Sequence, residues 1–181
     1  SNLISFLRVF LIIPLIIVLP DLDAGNNRLW AVILLAIGYL SDLLDGYLAR
    51  KLNEVSELGK IIDPLADKIC IVTIIIILYL SNEISTFYFS VIILRDIFIF
   101  IGGMLVSKKI GKILPSNLLG KITVVSIGYF IIAVVINLKQ HSLMIYDFLY
   151  YSSILLSFAS LAGYGLRAYE IINWNKKREI I

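Results

Sequence analysis

The chain has 181 residues, 60% of them apolar and only 16% charged, with a net charge of +3. Its long Ile/Leu/Val runs exceed what a water-soluble domain of this size can bury, which leaves an integral membrane protein. The single cysteine, Cys70, excludes an internal disulfide and any cysteine-rich metal site, and its apolar neighbours suit a small core residue.

Six apolar segments follow in chain order, at about 3–20, 29–49, 58–80, 84–106, 119–138 and 144–168. Each is near the length of about 20 residues that crosses a bilayer. The expected fold is therefore an all-α integral membrane protein, a bundle of six transmembrane helices, with residues 1–181 forming a single domain. The first segment has no basic stretch before it and no small-x-small site after it, so it reads as a membrane helix and not as a secretory signal. No connection between segments is long enough for a separate domain, and no internal repeat or nucleic-acid-binding pattern stands out.

The basic residues alternate from one connection to the next. One set holds Arg28, then no Lys or Arg between Ser81 and Ser85, then Lys139. The other holds Arg50, Lys51 and Lys60, then Lys108, Lys109, Lys112 and Lys121, then Arg167, Lys176, Lys177 and Arg178. By the positive-inside rule the second set is cytoplasmic, which predicts both termini on that side of a cell inner or plasma membrane. Trp30, Tyr88, Tyr146, Tyr150, Tyr151, Tyr169 and Trp174 suit either interfacial belts or helix packing.

The connection between the second and third segments carries the chemistry. Asp42 and Asp45 are spaced i,i+3, and Asp63 and Asp67 i,i+4, so on two helices each pair shares one face. Carboxylates inside apolar segments cost several kcal/mol and default to functional sites. Four of them gathered together repel one another unless cations neutralise them, and oxygen ligation suits Mg²⁺, Mn²⁺ or Ca²⁺ over zinc. Gly46 lies one turn from Asp42, and Arg50 one turn further. A bare glycine admits a flat or bulky group to the backbone, and a guanidinium beyond it suits a phosphate.

The run Asp42-x2-Asp45-Gly46-x2-Ala49-Arg50-x8-Gly59-x3-Asp63-x3-Asp67 resembles the full motif of the CDP-alcohol phosphotransferases, with each of its eight constrained positions present. Asn2-Leu3-x4-Arg8-x5-Pro14 is similar to the family's opening helix, with Ser1 standing where a proline is usual. The resemblance implies transfer of a substituted phosphoryl group from a CDP-linked lipid to an alcohol, with release of CMP. It implies two divalent cations, Mg²⁺ or Mn²⁺, on Asp42, Asp45, Asp63 and Asp67. Asp42, Gly46, Ala49, Arg50 and Gly59 would line the nucleotide pocket, and Asp67 would be the general base. It also implies a homodimer and CDP-diacylglycerol as donor.

For the acceptor, Gly59-Lys60 followed by Asp63-Pro64-Leu65-Ala66-Asp67-Lys68 resembles the branch that holds phosphatidylglycerophosphate synthases and CMP-forming cardiolipin synthases. The acceptor is then glycerol 3-phosphate or phosphatidylglycerol. The prevalence of the first activity favours glycerol 3-phosphate, whereas Arg95-Asp96 and the run Pro115 to Lys121 resemble cardiolipin-synthase-like relatives. Arg95, inside an apolar segment, either pairs with Asp96 or joins Lys121 and Arg167 on an acceptor phosphate. Lys108, Lys109 and Lys112 suit anionic headgroups. His141 reads as a solvated loop residue, and Gly102 and Gly103 as sites of close helix packing. A non-enzymatic cation carrier is the competing class, disfavoured because the carboxylates gather at one interface with no charged partners at the other helix ends.

Overall fold

The computed structural model describes the backbone of residues 2–52, 59–110 and 118–178, and the side chains of residues 10–41, 68–108 and 118–171. Within these bounds the chain is helical: α1 (Asn2–Val18), α2 (Asn27–Leu52), α3 (Gly59–Leu80), α4 (Thr86–Ile110), α5 (Leu118–Val135), the short α6 (Leu138–His141) and α7 (Leu143–Arg178). The six apolar segments thus fall on α1 to α5 and α7. The chain divides into two compact units, Ser1–Ser85 and Thr86–Ile181.

In the first unit α1 packs against both α2 and α3, and the 3-10 turn Leu19–Asp21 joins all three. Pro20 suits that turn, because its fixed φ is already helical and the turn's first N–H needs no partner. Leu15, Leu19, Leu22, Ala31, Cys70, Ile74, Ile75 and Leu78 form the core. Cys70 is buried, as its apolar neighbours in the sequence suggest. The end of α3 is closed by Asn82 in the left-handed region, with the Glu83 amide donating to Leu78 O and the Asn82 amide to Tyr79 O. Arg28 braces this end, 2.7 Å from Asp23 Oδ1 and 3.6 Å from Glu83 Oε1.

In the second unit α7 is the spine, packed by α4, α5 and α6. Tyr88 and Phe130 are fully buried with ring centroids 4.4 Å apart, and Tyr150 lies against both. Tyr88 is therefore a packing residue and not part of an interfacial belt. Ser153 Oγ and the Tyr88 phenol oxygen are hydrogen-bonded at 3.2 Å, and Arg95 Nε donates to Ser160 Oγ at 3.1 Å. The two pairs are offset by seven residues on each helix, so α4 and α7 run parallel. Thr123 of α5 donates across to the Leu156 carbonyl of α7 at 3.0 Å.

The expectation of six transmembrane helices is corrected. Among the described residues three helices are long and apolar enough to cross a membrane: Thr86–Lys108, Leu118–Val135 and Leu143–Ile171. In the first unit the apolar stretches among the described residues are Phe10–Asp21, Asn27–Ser41 and Lys68–Leu80, each of 10–17 residues. α2 and α3 continue as helix beyond these stretches, with Asp42, Asp45, Arg50 and Lys51 in the last part of α2 and Lys60, Asp63, Asp67 and Lys68 in the first part of α3, where they interrupt the apolar runs.

Candidate functional site

The backbone places the carboxylates in register with the packed rows of the first unit. Ala31 on α2 is fully buried, and a Cβ on Gly38 would stand 3.9 Å from Leu11 Cδ1 of α1, so this row of small residues faces α1. At the helical period, Asp42, Asp45 and Ala49 continue the row. On α3 the buried residues Leu78, Ile74 and Cys70 lead back, in steps of three and four, to Asp67 and Asp63. Both pairs therefore extend rows that are interior where the side chains are described. The side chains of Asp42, Asp45, Asp63 and Asp67, and of Ala49 and Arg50, lie outside the described residues, as do the surroundings of Gly46 and Gly59. Gly59 opens α3.

Among the described residues no group of three or more His, Cys, Asp or Glu gathers. The donor chemistry of the two helices fits a divalent cation: four carboxylates, no nitrogen and no sulfur, at i,i+3 and i,i+4 on helical backbone.

The second unit settles the surroundings of Arg95. It is 7% exposed, with Nη1 donating to Asp96 Oδ1 at 2.6 Å and Nε donating to Ser160 Oγ. The pairing with Asp96 is thus present. Lys121 is exposed and Arg167 half-buried. Gly120, just before Lys121, is buried with the Tyr164 ring 3.3 Å and Arg95 Nη2 3.8 Å from where its Cβ would stand. A Cβ at 120 would press on the Tyr164 ring and stand at ordinary contact distance from the guanidinium. Tyr164 lies one turn before Arg167 on α7. The packing of α4, α5 and α7 therefore brings Arg95 close to the residue preceding Lys121 and to the turn that carries Arg167.

Reading the sequence missed Ser160 and Tyr164. The signal was a row of hydroxyl residues on α7, Ser153, Ser157, Ser160 and Tyr164, spaced by four, three and four. The three serines are buried, and each also donates back to its own helix: Ser153 to Tyr150 O, Ser157 to Ser153 O and Ser160 to Ser157 O.

Among the described residues no helix packs closely on Gly102 or Gly103. Nothing lies within 4 Å of a Cβ built on either. With Phe98, Leu161 and Gly165 they line an apolar groove of about 320 Å³ between α4 and α7, open because the glycines leave its walls bare. His141 is exposed at the end of α6, its Nδ1 3.2 Å from Asn137 O, in keeping with a solvated role. Glu83, at the end of α3, has its carboxyl pushed above the ordinary range by burial, against the pull of Arg28.

The family model described as CDP-alcohol phosphatidyltransferase matches residues 1–161. Over 177 residues the chain is 31% identical to the CDP-diacylglycerol–glycerol-3-phosphate 3-phosphatidyltransferase of Aquifex aeolicus, covering 94% of this chain and 96% of that protein. It is 38% identical over 132 residues to the protein of the same name from Bacillus subtilis, covering 67% and 68%. The protein of that name from Mycoplasma genitalium is 34% identical over 140 residues, covering 67% and 58%. A family match that runs through both compact units, together with the Asp spacing on helical α2 and α3, means that the chain belongs to the CDP-alcohol phosphatidyltransferase family.

Proposed function

We propose that the chain transfers the phosphatidyl group of CDP-diacylglycerol to glycerol 3-phosphate and releases CMP. The observation that carries this reading is the Asp42-to-Asp67 motif on helical α2 and α3, in a chain whose relatives bear the name of that reaction. The family match through residues 1–161 supports reading 1–181 as one domain.

Asp42, Asp45, Asp63 and Asp67 would hold two divalent cations, Mg²⁺ or Mn²⁺. When bound, these neutralise the pyrophosphate and stabilise charge developing on its oxygens. The backbone at Gly46, which has no Cβ, admits the cytidine nucleotide, with Asp42, Ala49 and Gly59 around it and Arg50 on a phosphate. Asp67 accepts the proton of the attacking acceptor hydroxyl. A new bond forms from that oxygen to the β-phosphorus, the one that carries the diacylglycerol, and the bond from this phosphorus to the bridging oxygen breaks, leaving CMP. Arg95, Lys121 and Arg167 bind the acceptor's phosphate, and orientation of the two substrates supplies much of the remaining acceleration.

The carboxylate site lies on the cytoplasmic side, a reading supported by Arg50, Lys51 and Lys60 flanking it in sequence and by the basic residues that follow α4 and end α7. With both termini on that side, the protein works in the inner or plasma membrane as a homodimer.

The test is CMP release by purified protein given CDP-diacylglycerol and Mg²⁺ or Mn²⁺, with glycerol 3-phosphate in one reaction and phosphatidylglycerol in another. Release with glycerol 3-phosphate alone is the expected result. Release with phosphatidylglycerol alone would move the assignment to a CMP-forming cardiolipin synthase.

A further inference from the structure

We infer that Ser160 is a positioning residue for the acceptor. It holds the Arg95 guanidinium by Nε so that the Nη2 edge, buried beside Gly120, is the part offered to the acceptor's phosphate. The inference rests on the proposed role of Arg95 in binding that phosphate.

Three observations converge on it. Arg95 is 7% exposed, so its guanidinium has little access to water. Two of its three nitrogens are committed, Nε to Ser160 Oγ at 3.1 Å and Nη1 to Asp96 Oδ1 at 2.6 Å. Nη2 has no hydrogen-bond partner among the described residues. A buried cationic donor without an acceptor is costly, and an anion arriving at that edge removes the cost. The space beside it is kept clear by Gly120, whose missing Cβ would lie 3.8 Å from Nη2 and 3.3 Å from the Tyr164 ring.

Ser160 suits the task because its hydrogen is already assigned. Its hydroxyl donates to Ser157 O at 2.9 Å, which leaves an oxygen lone pair as the only group it can present to Arg95. Asp96 by itself fixes one end of a planar fork, and rotation about that contact would swing Nη2 away. The second anchor, from a helix 65 residues along the chain, removes that freedom.

The experiment compares acceptor KM and kcat for Ser160→Ala, Ser157→Ala and Arg95→Lys in detergent-purified full-length protein, with glycerol 3-phosphate varied at saturating CDP-diacylglycerol. Ser157 is the control: it is equally buried and donates to its own helix in the same way, yet no hydrogen bond joins it to Arg95. Ser160→Ala is expected to raise acceptor KM about tenfold, the loss of one hydrogen bond to a charged group, with kcat held within about twofold. Ser157→Ala should leave KM unchanged. In an Arg95→Lys background, Ser160→Ala should add no further increase, because the two act through one interaction. If Arg95→Lys leaves acceptor KM at the wild-type value, the phosphate role of Arg95 fails and the inference with it. If Arg95→Lys raises KM but Ser160→Ala does not, or raises it no more than Ser157→Ala, the positioning role alone is overturned.

Discussion

Asp67 carries the largest proposed share of the chemistry. Asp67→Asn keeps the shape and a metal-facing oxygen but cannot take the acceptor's proton. Turnover should fall by about two to four orders of magnitude while nucleotide binding survives, as measured by CMP release alongside CMP titration. Asp42 is assigned to metal and nucleotide together, so Asp42→Ala should weaken both in parallel titrations, and loss of one without the other would separate those roles. Glu83 belongs to structure. Burial raises its folded pKa above the unfolded value, so its contribution to stability is full below the ordinary carboxylate range and is lost as pH rises through the folded pKa. Relative to Glu83→Gln, the wild-type melting temperature should therefore fall as pH climbs from that range toward neutrality. The change should be under about 1 kcal/mol, since the side chain is partly exposed and its Arg28 contact is screened.

At the scale of elements, the α1–α2 contact sets the height and rotation of the helix that carries Asp42 and Asp45. Gly38 meets Leu11 at ordinary contact distance, so Gly38→Ala should be tolerated, whereas Gly38→Leu should push α2 off α1. Its expected signature is loss of metal-dependent CMP binding without any change to a carboxylate. In the second unit the α5–α7 contact includes the Thr123 bond to Leu156 O. Thr123→Val keeps the shape and removes the donor, with an expected destabilisation of about 0.6 kcal/mol, typical of hydrogen bonds between helices in membranes. Helix positions were readable from apolar periodicity, because a 20-residue Ile/Leu/Val run has few other solutions. Their ability to span a membrane was less readable: among the described residues only α4, α5 and α7 carry an apolar stretch long enough.

For the whole molecule, the transferase reading makes ligand linkage the discriminating property. CMP with Mg²⁺ or Mn²⁺ should raise the melting temperature by an amount that corresponds to about 2.7 kcal/mol at one hundred times Kd, and a chelator should abolish the shift. A cation carrier would respond to the metal and ignore the nucleotide. Nucleotide indifference would remove the transferase reading while leaving the fold untouched.

By itself the sequence determined the helical character, the apolar segments and the spacing of Asp42, Asp45, Asp63 and Asp67. Each of these is local: hydropathy runs and the 3.6-residue period act within one helix, so i,i+3 and i,i+4 pairs share a face whatever packs nearby. Tertiary structure alone decided the environment of Arg95, the openness around Gly102 and Gly103, and the burial of Tyr88. Arg95 had two readings because its neighbour Asp96 was visible in the sequence and its second anchor, Ser160, was not. A contact between residues 65 positions apart depends on the parallel run of α4 along α7, and that register arises from side chains of both helices packing together.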